Sequence, residues 1–380
     1  MKRKILVTLL AAEACLLVLL IGFGAGLHFG LLPDGEVSET ATEPVETTAP
    51  AEVPVPETTA VPETEAPETE APTTEPQEIV YNLTFAGDCT LGTMYDFYDA
   101  GSCFPAVVGE DYAYPLANVQ EWFADDDFSL VNLEGPLTSD GEPADKDYVF
   151  RGDPKLVGVL TEGSVEAVNI ANNHTRDFGD AGYESTKKVL DDAGIFYGED
   201  GESILVDTER GLKVGVFFTA FSVDTDYLAQ SIQSLRDQGA EIVIASFHWG
   251  IEGEYRHSYD QESLAHAAID AGADIVFGHH PHVLQEIEEY NGGIIYYSLA
   301  NFVFGGNGNP RDYDTAVISQ QVIRDVDGTV RLGEYTAVPC SISSVDSPNN
   351  YQPTPAPEGS ERYQRVMDKL SGNFSVSDGE

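Results

Sequence analysis

Residues 273–282 read ADIVFGHHPH. The apolar run Ile275–Phe277, bounded by turn formers, has the length and composition of a buried strand. It ends in three of the chain's eight histidines, placed within four positions. Glycine and proline around them set a sharp turn, and neutral imidazoles brought to one strand end are the donors that a cation or a proton transfer needs.

Working outward, short apolar runs alternate with helix-spaced segments: NLTFAGD (82–88), PLANVQEWFA (115–124), FSLVNLE (128–134), PKLVGVLTEG (154–163), EAVNIANN (166–173), AGYESTKKVLDDAG (181–194), KVGVFFTA (213–220), YLAQSIQSLRDQG (227–239), EIVIASFHWG (241–250) and QESLAHAAIDAG (261–272). That alternation predicts β-α-β crossovers. After residue 283 the pattern changes to hairpins turning at Asn291-Gly292 and Asp327-Gly328. A further strand near YTAVPCSIS and an amphipathic helix near ERYQRVMDKLS complete the chain. The expected fold class is α/β, with mixed sheets in layers and helices outside.

Five successive strand ends carry a potential metal ligand: Asp88, Glu134, Asn173 with His174, His248, and the pair His280 and His282. In open α/β sheets ligands sit at the carboxyl ends of strands. Each residue singly fits a turn or a cap, but the set of carboxylate, amide oxygen and imidazole suits Mn, Fe or Zn ions.

Net charge excludes one class of partner. At −46, with a pI near 4.1, the chain has no basic face with which to displace counterions from nucleic acid. Lysine and arginine occupy positions 2–4 and then do not recur until Lys146. The first three precede the mainly apolar run Ile5–Leu27, long enough to cross a bilayer with its positive flank inside. Residues 1–32 are thus expected to be an N-terminal membrane anchor with the remainder extracellular; cleavage as a secretory signal and lipidation at Cys15 are the competing fates. Residues 33–78 hold nine prolines and thirteen acidic residues without a basic or aromatic one, the composition of a disordered stalk. Residues 79–345 are expected to form the α/β domain that carries these strand-end residues, and 346–380 a C-terminal loop and helix. An oxidising compartment would permit a Cys89–Cys103 disulfide, which spacing alone does not establish.

The linked motifs GDCTLG, NLEGPLT, NNHTRDFG, HWGIE, GHHPH and YSLANFVF, in order over residues 81–305, resemble the CapA/PgsA family of capsule and poly-γ-glutamate biosynthesis proteins, within the calcineurin-like metallophosphoesterase superfamily. The resemblance implies a four-layer α/β/β/α sandwich with two divalent metal ions. It implies Asp88, Glu134, Asn173, His248, His280 and His282 as ligands, and His174 as the acid or oxyanion partner. Thr90 stands where the superfamily's first motif has histidine, Glu134 where it has a bridging aspartate, and Ala300 where the family has glycine. By the register of the last motif, His279 is expected to point away. Glu252 and Glu254 are candidates to orient His248, Asp177 to fix the turn carrying His174, and Arg151, Asp153 and Asn301 to contact substrate. Among basic residues only Arg151 and Arg176 lie beside the motifs. Two functional classes remain open: a tethered metal-dependent hydrolase acting on an envelope polymer or phosphoester, and a noncatalytic subunit that holds a membrane synthase or its product.

Overall fold

Ile275 and Phe277 face one apolar core while Val276 between them faces another, and Ile242 and Ile244 alternate with Val243 and Ala245 in the same way. This period of two, with both faces apolar, defines strands that are covered on both sides. The computed structural model describes residues 77–98 and 100–374. The expected anchor, and the stalk up to residue 76, lie outside them. Among the described residues no helix is long and apolar enough to cross a membrane.

The strands, numbered along the chain, are β1 (Ile79–Thr90), β2 (Thr93–Met94), β3 (Phe128–Leu133), β4 (Phe150–Arg151), β5 (Ala167–Asn169), β6 (Phe196–Gly198), β7 (Ser203–Asp207), β8 (Lys213–Ala220), β9 (Ile242–His248), β10 (Ile275–His279), β11 (Ile287–Tyr290), β12 (Gly293–Tyr296), β13 (Asn301–Phe304), β14 (Asp314–Arg324), β15 (Val330–Ser341) and β16 (Thr354–Pro355). One sheet has the order β16-β15-β14-β1-β3-β5-β6, with β13 also paired to β1. The second has the order β11-β12-β10-β9-β8-β7, and β2 and β4 form a small ribbon.

Tyr81, Leu83, Phe85, Phe128 and Leu130 of the first sheet meet Val214, Val216, Ile244, Phe277 and Tyr296 of the second in the central core. The outer face of the first sheet, with Val131, Leu133 and Val168, packs on the segments that include α1 (Phe104–Val108), α2 (Gln120–Ala124), α3 (Gly158–Glu162) and α4 (Gly179–Ala193). The outer face of the second packs on α5 (Thr225–Asp237) and α6 (Tyr259–Asp270) through Leu228, Ile232, Ala265 and Ile269. The layers therefore run helix, sheet, sheet, helix.

Several local expectations need correction. The segment YTAVPCSIS is no separate strand but mostly the second half of the long β15, because the hairpin partner β14 stays paired with it, across one bulge between Gln320 and Val322, as far as Asp314↔Ser341. The helix expected over 115–124 is regular only from Gln120. The expected C-terminal helix, by contrast, is present as α7 (Glu361–Leu370) and buries Val366 and Leu370 in the central core. Cys89, Cys103 and Cys340 are all buried and free, so the Cys89–Cys103 bond is not formed.

At the end of the first sheet away from the strand C-termini, Asp126 has an Oδ2 that is buried without a hydrogen-bond partner. Burial, and then the charges of Glu166 and Asp127, outweigh a hydrogen bond from Thr84 and push its carboxyl up to about 8. A raised carboxyl keeps in the folded state a proton that the unfolded chain has lost, so stability is complete below the unfolded pKa and falls as pH rises toward 8. Asp126→Asn is expected to match the wild type near pH 4 and to exceed it at pH 8, on the order of 2 kcal/mol. Urea titrations at the two pH values check this, and parallel profiles would refute it.

Candidate metal centre

Parallel pairing sets two polar rows opposite each other at the strand C-termini. Across the first sheet Asp88 pairs with Asn132, Asn132 with Asn169, and Asp88 also with Asn301. Across the second, His248 pairs with His279 and with Ala220. Close approach holds the rows together. Gly87 passes so near β13 that an added Cβ would lie 2.0 Å from the Ala300 carbonyl oxygen. The next residue, Asp88, donates its N–H to that same oxygen at 2.8 Å. Ala300 has a φ of +63°, and His280 and His282 have φ of +101° and +56°. Such backbone is costly without glycine and persists where the surroundings enforce it.

Donor atoms of Asp88, Glu134 and His282 lie within 4.8 Å of one another, as do those of Glu134, His248 and His280. Glu134 joins both groups. Its carboxylate is fully buried and neither oxygen accepts a hydrogen bond. Instead, Nε2 of His282 stands 3.7 Å from Oε1, and Nε2 of His174 and of His248 each 3.9 Å. Asn173 Oδ1 lies 2.8 Å from His248 Nε2. Nδ1 of His280 is also buried without a partner. A buried, unsatisfied carboxylate ringed by imidazoles is an expensive arrangement on its own and a suitable one for cations. The donor set of carboxylate and imidazole at this point therefore fits a divalent metal.

Electrostatics points the same way. Burial pushes Glu134 up to about 8, with the charges of Asp88, Glu252 and Asp177 adding to it against His282. Burial would raise Asp88 too, but the hydrogen bond and charge of His282 outweigh it and lower this carboxyl. Burial, with the neighbouring histidines, holds His248 well below its ordinary value; burial lowers His280 to about 4. These rings are neutral at pH 7, the form that binds metal. His282 is the exception: burial lowers it, but Glu134 and Asp88 outweigh burial and raise it to about 10.

His279 does not point away. Its Nδ1 lies 3.0 Å from His248 Nδ1, and its Nε2 faces Asn169 Nδ2 at 3.0 Å and Ser246 Oγ at 3.1 Å. Its ring packs behind His248 and fixes that ring's orientation, the support that metal-binding imidazoles require. Its alternation with Ile275 and Phe277 in β10 is the signal that could have placed it inward. Asn132, also missed, donates to Asp88 Oδ1 at 2.8 Å and accepts from Asn172 at 3.1 Å. An asparagine inside a largely apolar, wholly buried strand, two residues before Glu134, was the available clue.

His174 sits at the mouth. Its Nδ1 faces Asp177 Oδ2 at 2.8 Å, so Nδ1–H donates there and Nε2 is left toward Glu134. Asp177 also accepts from the Phe150 N–H at 2.6 Å. Burial lowers His174, partly offset by the hydrogen bond and charge of Asp177. Lys146, which the motifs did not flag, stands 2.5 Å from Asp177 Oδ1 and donates to the Asn173 carbonyl at 3.0 Å. Asn301 Oδ1 lies 3.0 Å from His282 Nδ1.

Other expectations are corrected. Glu252 clusters with His280 and His282 rather than orienting His248, and Glu254 is exposed. Arg151 lies over the rings of Tyr98 and Phe178, and Asp153 caps a short 3-10 helix by accepting from the Lys155 N–H at 2.9 Å. Arg176 pairs with Asp180 on the surface. Lys146 and Arg311 are the basic residues that reach this region. A cleft of about 330 Å³ opens over the cluster, lined in part by His174, Glu252, His282, Asn301 and Arg311.

The layers and the cluster define a two-sheet α/β protein with a histidine-carboxylate centre of metal-binding type at the strand ends. Residues 82–306 match the model of the bacterial capsule synthesis protein family PGA_cap, and the chain belongs to that family. The capsule biosynthesis protein CapA of Bacillus anthracis is 34% identical over 253 residues, which cover 59% of this chain and 60% of that protein. The chain thus matches less than two thirds of that relative's length. The PGA biosynthesis protein CapA of Bacillus subtilis (strain 168) is 31% identical over 329 residues, 79% of this chain and 81% of that one. Among solved structures, the NAD nucleotidase of Haemophilus influenzae overlaps with a TM-score of 0.40 at 12% identity, covering 78% of this chain and 63% of that one. A purple acid phosphatase from yellow lupin reaches 0.31 at 10%, covering 69% and 54%. These overlaps are loose and assign no activity.

Proposed function

We propose that the chain acts in bacterial capsule or poly-γ-glutamate biosynthesis, as an envelope protein with a metal-dependent, hydrolase-type site. One observation carries the site: Glu134, fully buried, has no hydrogen-bond partner on either oxygen and three imidazole nitrogens within 4 Å. Asp88, Glu134, Asn173, His248, His280 and His282 would hold two divalent ions, Mn, Fe or Zn. Such ions, when bound, supply a polarised substrate oxygen and a water acidic enough to ionise near neutral pH.

The chain's own residues do the remaining work. Asp177 fixes the His174 ring so that Nε2 takes up or returns a proton at the reacting group. His279 holds the His248 ring, and Phe150 packs against His174 with centroids 4.3 Å apart and the planes tilted by 35°, restricting water on that side. The apolar run 5–27 behind three positive charges supports placing the domain outside a membrane, where an envelope polymer or the membrane subunits of its synthase would be the partners.

The test is metal content. Full-length protein is expected to purify with stoichiometric divalent metal and to lose hydrolysis of a generic phosphodiester on chelation; His248→Ala and Asn173→Ala are expected to lose the metal. Metal-free protein indifferent to chelators would end the hydrolase reading.

A second reading, a noncatalytic subunit that holds the polymer or its synthase, is favoured by Thr90. It replaces the histidine of the superfamily's first motif, and its hydroxyl is buried without a partner. Polymer output in cells that is unchanged by His174→Ala but lost with His248→Ala would favour this reading.

A further inference from the structure

Among the described residues, charge pairing leaves one cation at the cleft without a carboxylate within 4.0 Å. Of the sixteen lysines and arginines from Lys146 onward, thirteen have a carboxylate within 4.0 Å. Among the described residues the others are Arg151, Lys155 and Arg311. Arg151 is occupied by the aromatic rings of Tyr98 and Phe178. Lys155 lies outside the cleft, whereas Arg311 lines it together with His174, His282 and Asn301.

Arg311 is exposed, yet its backbone is held. The next residue, Asp312, accepts from Lys369 Nζ at 2.6 Å and from the Tyr255 hydroxyl at 2.9 Å. Lys369 is only 3% exposed, so this loop is tied to the protein interior. Asp312 is engaged by those two groups and by the Asp314 N–H at 3.0 Å, and although Glu252 also lines the cleft, no carboxylate lies within 4.0 Å of the Arg311 guanidinium. On the other side, the guanidinium lies over Gly253, where an added Cβ would stand 2.7 Å from Nη1. Gly253 in turn donates its N–H to the Pro281 carbonyl at 2.8 Å, inside the histidine turn. A guanidinium fork on an anchored loop, beside the histidine turn and without a carboxylate, has the geometry that recognises a planar or tetrahedral oxyanion. An unpaired cation in so negative a protein also attracts such a group locally where the overall field would repel it.

The geometry points to Arg311 as the specificity-determining contact for an anionic oxygen group, carboxylate or phosphate, on the substrate of this cleft. This rests on the reading of the cleft as substrate-binding, but not on the presence of metal.

Calorimetric titration of the full chain, metal-stripped and Mn-loaded in parallel, with inorganic phosphate and with a γ-linked glutamate oligomer, tests it. Wild type is expected to bind at least one probe, and the one that binds identifies the source of the oxyanion. Arg311→Gln is expected to weaken that binding by about tenfold, with Arg311→Lys intermediate because it keeps the charge and loses the fork. Added salt should weaken the wild type more than Arg311→Gln. Lys155→Gln, which removes a cation outside the cleft, should bind as wild type. Equal affinity of Arg311→Gln and wild type overturns the assignment, as does wild type that binds neither probe in either metal state. Binding that requires Mn and ignores Arg311→Gln would leave the metal reading standing and remove this one. An Arg311 effect in protein that never takes up metal would do the reverse.

Discussion

His174→Ala is expected to lower turnover of a phosphodiester by about 10²–10⁴-fold while leaving metal content unchanged, the usual contribution of a positioned acid or base. The separation follows from position. His174 Nε2 stands 3.9 Å from Glu134, and Nδ1 is committed to Asp177, so the ring borders the cluster and offers one free nitrogen to the cleft. Asp177→Asn should give a smaller loss with an altered pH profile, because the amide can present N–H where the ring needs an acceptor. Elemental analysis alongside kcat and KM decides the matter. Metal lost together with activity would make His174 a ligand, and unchanged turnover would remove it from the chemistry.

Asp314→Ala is expected to cost about 3–5 kcal/mol of unfolding free energy, the scale for removing one partner from a buried ionic network. Asp314 is 1% exposed and receives Arg362 Nε at 3.2 Å, Arg365 Nε at 2.6 Å and Lys369 Nζ at 2.8 Å. Lys369, itself buried, would keep only Asp312. Burial alone would raise Asp314, but Arg365 and Lys369 outweigh it and hold the carboxyl below its ordinary value. Its contribution is therefore present above the unfolded carboxylate pKa and is lost as pH falls through the lower folded value. Chemical unfolding at neutral pH measures the difference. A loss under about 1 kcal/mol would mean that the charges behave as solvated surface pairs.

The sheets were largely legible because period-two apolar runs and turn residues carry their own signal, and the strand-end polar residues marked where a site could form. His279 was misplaced because motif register was used where strand parity decides: Ile275, Phe277 and His279 share a face. The short strands β6 and β7 were missed because three and five residues carry too little periodicity. Lys146 and Arg311 were invisible as site residues since they arrive on loops, where no repeat ties sequence position to direction. Arg151 and Asp153 lie beside the motifs in sequence, yet their side chains are taken up by aromatic rings and a helix cap.

The first strand is central to its sheet, paired with β3, β13 and β14, and Asp88 meets a His280 that lies 192 residues further along the chain. During synthesis the ligand set cannot assemble until the histidine turn and β13 have emerged, and at about 5–20 residues per second this takes many seconds after Asp88 appears. Contacts so distant along the chain also make for slow folding. Until then the early strands have no partner sheet, and metal captured by one or two ligands would exchange freely. Any tight ion uptake at this cluster would thus be a late event that reports completion of the fold.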